Sequence, residues 1–112
     1  MKIFLDDVRD IPAGWTGARS VNEFRRIINE ANSRGEEIES ISFDHDLGEN
    51  AEDGYDAVKW LAENYPQYIV ENTVIKSHSD NPAGRENIEK FVEFCRNKRE
   101  QLLESHREFK IK

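Results

Sequence analysis

The chain has 112 residues, 37% of them hydrophobic and 35% charged, with a formal net charge of −7. That length predicts a single domain over residues 1–112, with one core that removes roughly two-thirds of the unfolded chain's surface from water. The negative balance excludes an extended nucleic-acid coat, which draws its affinity from Lys and Arg, but it leaves room for one phosphate or one strand end in a local pocket.

One cysteine, Cys95, excludes an intrachain disulfide and fits a reducing cytoplasm. No apolar run approaches about 18 residues, so no membrane partner is expected. No signal peptide precedes the first apolar run. A complete, soluble, cytoplasmic chain is the expectation.

Residues 2–5 (Lys-Ile-Phe-Leu) form an apolar run bounded by charge, which predicts a strand buried on both faces. Asp6 and Asp7 end it. Residues 8–17 carry Pro12, Gly14 and Gly17 and predict a loop, with a very short strand at Ala18 and Arg19. Ser20 and Glu23 have capping-box spacing. Val21, Phe24, Ile27, Ile28 and Ala31 then mark one helical face, and Gly35 is the expected stop.

Residues 38–43 predict the next strand, which runs directly into Asp44-His45-Asp46. A second helix over 54–65 follows, with Asp53 as cap, Ala57, Val58, Leu61 and Ala62 as buried stripe, and Pro66 as terminator. A strand is expected over 68–75, with Thr73, Val74 and Ile75 its most buried part. Asn81 followed by Pro82 predicts the cap and first residue of a third helix running to Leu103. Residues 108–112 (Glu-Phe-Lys-Ile-Lys) predict a final edge strand. Strands alternating with helices imply an α/β fold with a mostly parallel sheet and right-handed crossovers.

Chemistry-bearing residues collect at three strand ends, where open α/β sheets keep their ligands. Asp6, Asp7 and Asp44 suit a divalent cation, most simply Mg²⁺, which takes one or two carboxylates and keeps several waters. The plainer reading of the Asp-Asp pair is a solvated strand terminus. Asp44, His45 and Asp46 suit acid, base or ligand roles, against the alternative of a turn with carboxylate caps. His78 and Ser79 precede a helix N-terminus, whose free N–H groups favour anions. A phosphate there would meet the N–H groups of Gly84 and Arg85 and the Ser79 hydroxyl, with Arg9, Asn81 and the Arg85 side chain in reach. Two histidines on neighbouring strand ends, His45 and His78, can divide the proton transfers of phosphodiester cleavage, a task that suits imidazole near neutrality.

The motifs Leu5-Asp6-Asp7-Val8-Arg9, Ser42-Phe43-Asp44-His45-Asp46-Leu47-Gly48, Gly54-Tyr55 with Val58-Lys59-Trp60-Leu61, and His78-Ser79 with Asn81-Pro82-Ala83-Gly84-Arg85-Glu86-Asn87 resemble the cyclic-phosphate-processing receiver-like domain family. The resemblance implies a receiver-like (flavodoxin-like) three-layer sandwich with sheet order 2-1-3-4-5. By the same resemblance, Asp6 and Asp7 match a Mg²⁺-binding pair and Asp44 a phosphoacceptor. Ser77 or Ser79 matches the fourth strand's hydroxyl, and Lys110 or Lys112 a lysine ending the fifth strand. The chain departs from signalling receivers in replacing the first helix by residues 8–17, in lacking the last helix, and in adding His45 and His78. The family's implied activity is processing of cyclic phosphates at RNA ends or in related nucleotides.

Three functions follow. The first is a small phosphoesterase (a hydrolase) acting on a phosphorylated nucleotide or RNA end. In it Asp6, Asp7 and Asp44 hold the cation, His45 and His78 act as acid and base with Asp46 beside them, and Arg9, Ser79, Asn81, Gly84 and Arg85 orient the phosphate. The second is a receiver-type phosphoacceptor or nucleotide-binding signalling module, which has no need of the two histidines. The third is a phosphatase with Asp44 as nucleophile and Asp46 as acid.

Overall fold

The computed structural model describes residues 1–48 and 51–111. Its elements are β1 (Lys2–Leu5), β2 (Thr16–Ala18), α1 (Val21–Ser33), β3 (Ser40–Phe43), α2 (Gly54–Asn64), α3 (Gln67–Val70), β4 (Val74–Ser77), α4 (Pro82–Asn97) and α5 (Arg99–Ile111). The four strands form one parallel sheet in the order β2-β1-β3-β4.

That order explains the layering. The chain steps one way from β1 to β2, then back across β1 to β3 and on to β4. Right-handed crossovers put connections of opposite direction on opposite faces. Helices α1 and α2 therefore share one face, and α4, which follows β4, packs beside α2 on it. Their buried stripes join Ile3, Leu5, Ile41 and Phe43 in a single apolar cluster. The loop over residues 6–15, which replaces a first helix as expected, belongs to the other face. There Ile11 closes over Gly17, leaving no room for a side chain at that position, and Trp15 meets Phe4 edge-on. The receiver-like architecture thus has one full helical layer and one thin layer of loop.

The caps follow the sequence. Ser20 accepts the Glu23 N–H, and the Glu23 carboxylate reaches past it to the Arg19 N–H. Gly35, at φ +67°, supplies the left-handed residue after α1, with its N–H on Asn32 and that of Glu36 on Ala31. Asp53 and Asp56 form a reciprocal capping box on α2. Asn81 caps α4, with Pro82 at its start.

Three expectations need correction. The strand expected over 68–75 is two elements. Tyr68, Ile69 and Val70 lie in α3, with Ile69 and Val70 buried, and the strand begins only at Val74, which is half exposed. Arg96 pins this junction, donating to the carbonyls of Ile69 and Thr73 at 3.0 Å each. The edge strand expected over 108–112 is absent: residues 108–111 continue α5, and Lys112 lies outside the described residues. The long third helix breaks at Lys98, which caps α4 before α5 begins. A helix thus ends the described chain where none was expected, packed on α2 and α4 rather than on the other face. Among the described residues the sheet has no fifth strand, so β4 is an edge. No helix there is long and apolar enough to cross a membrane.

Phe24 sits at the centre of the cluster, wholly buried between Phe43 and Trp60. Phe24→Ala is expected to cost about 3–5 kcal/mol, seen as a lower urea midpoint at unchanged slope.

Candidate functional site

The sheet reverses direction between β1 and β3, which is where doubly wound folds place ligands. The ladders continue one residue past the strands: the Asp44 N–H bonds to Leu5, and the His78 N–H to Phe43. Continuing the register sets Asp6, Asp44 and His78 side by side. All three share the parity of Phe4, Ser42 and Lys76, facing away from the helices. One ligand atom from each lies within 4.8 Å of the others.

Asp6 is wholly buried. Its Oδ1 accepts the N–H groups of Val8 and Arg9 at 2.9 Å each, and its Oδ2 lies 3.0 Å from His78 Nε2. Burial alone raises a carboxyl pKa. The two N–H donors and His78 outweigh it and hold Asp6 below the ordinary range. Asp44 goes the other way. Burial raises it and the charge of Asp6 adds to the effect, while the Ser79 hydroxyl favours the charged form.

His78 is clamped on all sides. Its ring stacks on Phe4 at 4.2 Å and 9°, and Nδ1 lies 2.7 Å from Ser42 Oγ. With Asp6 ionised, Nε2 carries the proton toward it, and in the neutral ring Nδ1 accepts from the Ser42 hydroxyl. Arg9 braces the backbone, donating to the His78 carbonyl and to Asp80, both at 2.6 Å.

His45 has the opposite parity and turns toward the helix N-termini. Its Nδ1 is 2.8 Å from Asp46 Oδ1, and its Nε2 is 3.5 Å from Asp53. The hydrogen bond with His45 lowers the Asp46 pKa, with a further contribution from Asn81. The ring rests on Gly84, where any Cβ would run into it. Gly54 plays the same part beneath Asp44: its N–H donates to the His45 carbonyl at 2.8 Å, and a Cβ there would strike the Asp44 carbonyl.

The structure therefore gathers Asp6, Asp44 and His78 in one group, and His45, Asp46 and Gly84 in a second beside it. Ser79, 1% exposed, lies between them and accepts the Asn81 N–H. Asp7 is not among the three grouped residues: it lies in the bend after β1 that the Asp6 carboxylate caps, and its own carboxylate lies near Gly48. The donors expected for phosphate are already engaged. The Gly84 and Arg85 N–H groups bond to Asn81, and the Arg85 guanidinium to the Ser79 carbonyl. Arg9 is a brace rather than a free cation. Sequence reasoning missed Ser42, Phe4 and the seats at Gly54 and Gly84. The parity of Phe4 and Ser42 with Asp6 and Asp44 was the signal available for the first two.

Asp6, Asp44 and His78 fit a divalent cation by spacing and donor type. Two carboxylates suit Mg²⁺ with water completing its shell, and the imidazole widens the choice to Mn²⁺ or Zn²⁺.

Residues 1–94 match the family model described as the cyclic-phosphate processing receiver domain. No curated protein and no solved structure matches the chain.

The raised pKa of Asp44 makes a signed prediction. The folded state then binds the proton more tightly than the unfolded state, so the contribution to stability is full below about pH 3.9 and is lost as pH rises through the folded value. In EDTA, Asp44→Asn is expected to melt at a higher temperature than the parent protein at pH 7, with the gain vanishing at pH 3–4. A lower melting temperature at pH 7 contradicts the assignment.

Proposed function

Because the chain belongs to the cyclic-phosphate processing receiver domain family, we propose that it is a small phosphoesterase that opens a cyclic phosphate at this sheet edge. The observation that carries the reading is the row Asp6–Asp44–His78, with His45 on the opposite side of the same edge. In-line displacement at phosphorus needs its proton acceptor and proton donor on opposite sides. Two imidazoles of opposite parity at adjacent strand ends meet that need.

Water attacks phosphorus and loses a proton to one imidazole. The bond from phosphorus to one ribose oxygen breaks, and the other imidazole protonates that oxygen. Asp6 and Ser42 hold the His78 ring, and Asp46 holds His45. Asp6 and Asp44 would hold a divalent cation, whose charge would offset that developing on the phosphate oxygens. Ser79, bonded to Asp44 and Asn81, positions the Asp44 carboxylate. The buried, unpaired Cys95 supports a reducing, cytoplasmic setting.

The rival reading, phosphoacceptance at Asp44, loses support from the helix at residues 108–111. Lys110, one of the two lysines that reading implies, lies in a helix and not at a strand end.

Pure protein with an RNA oligonucleotide ending in a 2′,3′-cyclic phosphate is expected to yield a monoester, at least 100-fold more slowly in the His45→Ala and His78→Ala variants. Parallel reactions in Mg²⁺, Mn²⁺ and EDTA measure the metal's part. Labelling at Asp44 by acetyl phosphate without ring opening overturns the proposal. Gly84→Ala, which displaces the His45 ring, is expected to lose about tenfold or more in kcat with little change in KM.

A further inference from the structure

Strand alternation and register put three cross-strand rows on the helix-free face of the sheet: Lys2–Ser40–Val74, Phe4–Ser42–Lys76, and the candidate site Asp6–Asp44–His78. The first two rows lead straight into the third. Loop residues cover the β1–β2 side of this face, through Ile11 and Trp15. The β3–β4 side has two short serines, Ser40 and Ser42, buried at the floor of the face and flanked by Val74, 50% exposed, and by the exposed Lys76.

The chemistry of these rows differs from that of the rest of the protein. The chain carries a net charge of −7, yet the two charged side chains in the rows below the site are both lysines. Among the described residues neither Lys2 nor Lys76 has a carboxylate partner; Arg19, Arg85, Arg96 and Lys98 lack one too, but those three arginines are held by backbone carbonyls. The one contact recorded for Lys2 is the Trp15 ring, 5.9 Å away. Trp15 is half-exposed and stands edge-on to Phe4, which in turn stacks on His78. Unpaired cations beside a partly open aromatic ring, on a shallow face, are the features that hold single-stranded nucleic acid without reading its sequence.

We propose that this face is a track for single-stranded RNA, which carries the strand into the candidate site so that its cyclic terminal phosphate meets His78. The proposal rests on the phosphoesterase reading and narrows its substrate to an RNA end. Successive rows lie about 6.6 Å apart, close to the stride of one nucleotide in an extended strand. Lys2 and Lys76 meet backbone phosphates and Trp15 meets a base. A free cyclic mononucleotide occupies the third row alone and leaves the other two unused.

The test uses the full chain and two separate readouts. Anisotropy of a labelled ten-nucleotide RNA ending in a 3′-phosphate measures track binding at several salt concentrations. Turnover of a 2′,3′-cyclic mononucleotide measures the site. The double variant Lys2→Gln and Lys76→Gln, both at exposed positions, is expected to weaken RNA binding about tenfold. Its log–log salt slope should be shallower by about 1.4, from two lost phosphate contacts. Mononucleotide turnover should be unchanged. Trp15→Ala is expected to weaken RNA binding with no change in that slope. RNA affinity and slope unchanged in the double variant overturn the track, whatever the enzyme does. Salt-dependent RNA binding lost in the variant, without turnover by the parent protein, keeps the track and overturns the phosphoesterase reading.

Discussion

Everything at the carboxyl edge is arranged around one buried charge. Asp6 ends the strand next to the centre of the sheet and has no exposure to water. An ionised carboxylate there is tolerable only if its oxygens are satisfied. Two separate segments answer that demand. The turn after β1 gives two N–H groups to one oxygen, and His78 at the end of β4 meets the other. Arg9 then ties those two segments together. The arrangement splits the paired carboxylates. Asp6 is solvated by the protein and held acidic, while Asp44, with fewer donors, is pushed toward the neutral form. Environments that drive like groups apart are the usual mark of a chemical site.

Much of this edge was legible in the sequence because caps and strand ends are local. Ser20, Asp53 and Asn81 cap the helices their side chains announced. The alternation of strands and helices placed Asp6, Asp44 and His78 at neighbouring ends of a parallel sheet. Asp7 sits in the bend after β1, where the turn that Asp6 caps, and not the alternation of a strand, sets its direction. The sequence assigned Ser42 no role of its own, because its bond to His78 spans 36 residues. The seat that Gly84 makes for His45 likewise depends on how α4 meets the end of β3, which no local pattern records.

Two elements were misread for a common reason. Tyr68-Ile69-Val70 and Phe109-Lys110-Ile111 are short runs with β-branched or aromatic residues. Over so few positions periodicity does not separate a strand from a buried helical turn. Tertiary context decided the first. Ile69 and Val70 are buried in a short helix that packs on α4. Residues 108–111 simply extend α5. The second misreading mattered more: among the described residues β4 stands at the edge of the sheet, and Lys110 lies in a helix.

The break at Lys98 has a practical consequence. Helix α5 folds back over a cavity of about 400 Å³ whose wall includes Cys95, Phe91, Leu102 and Ser105. Cys95 is the sole thiol, 1% exposed, and burial pushes its pKa up. Thiol reagents attack the exposed thiolate, so both accessibility and ionisation protect it while α5 is docked. Its modification rate in the native protein therefore measures how often α5 lifts from α2 and α4. The chain carries its own chemical clock for the motion of its last helix, with no label or mutation required.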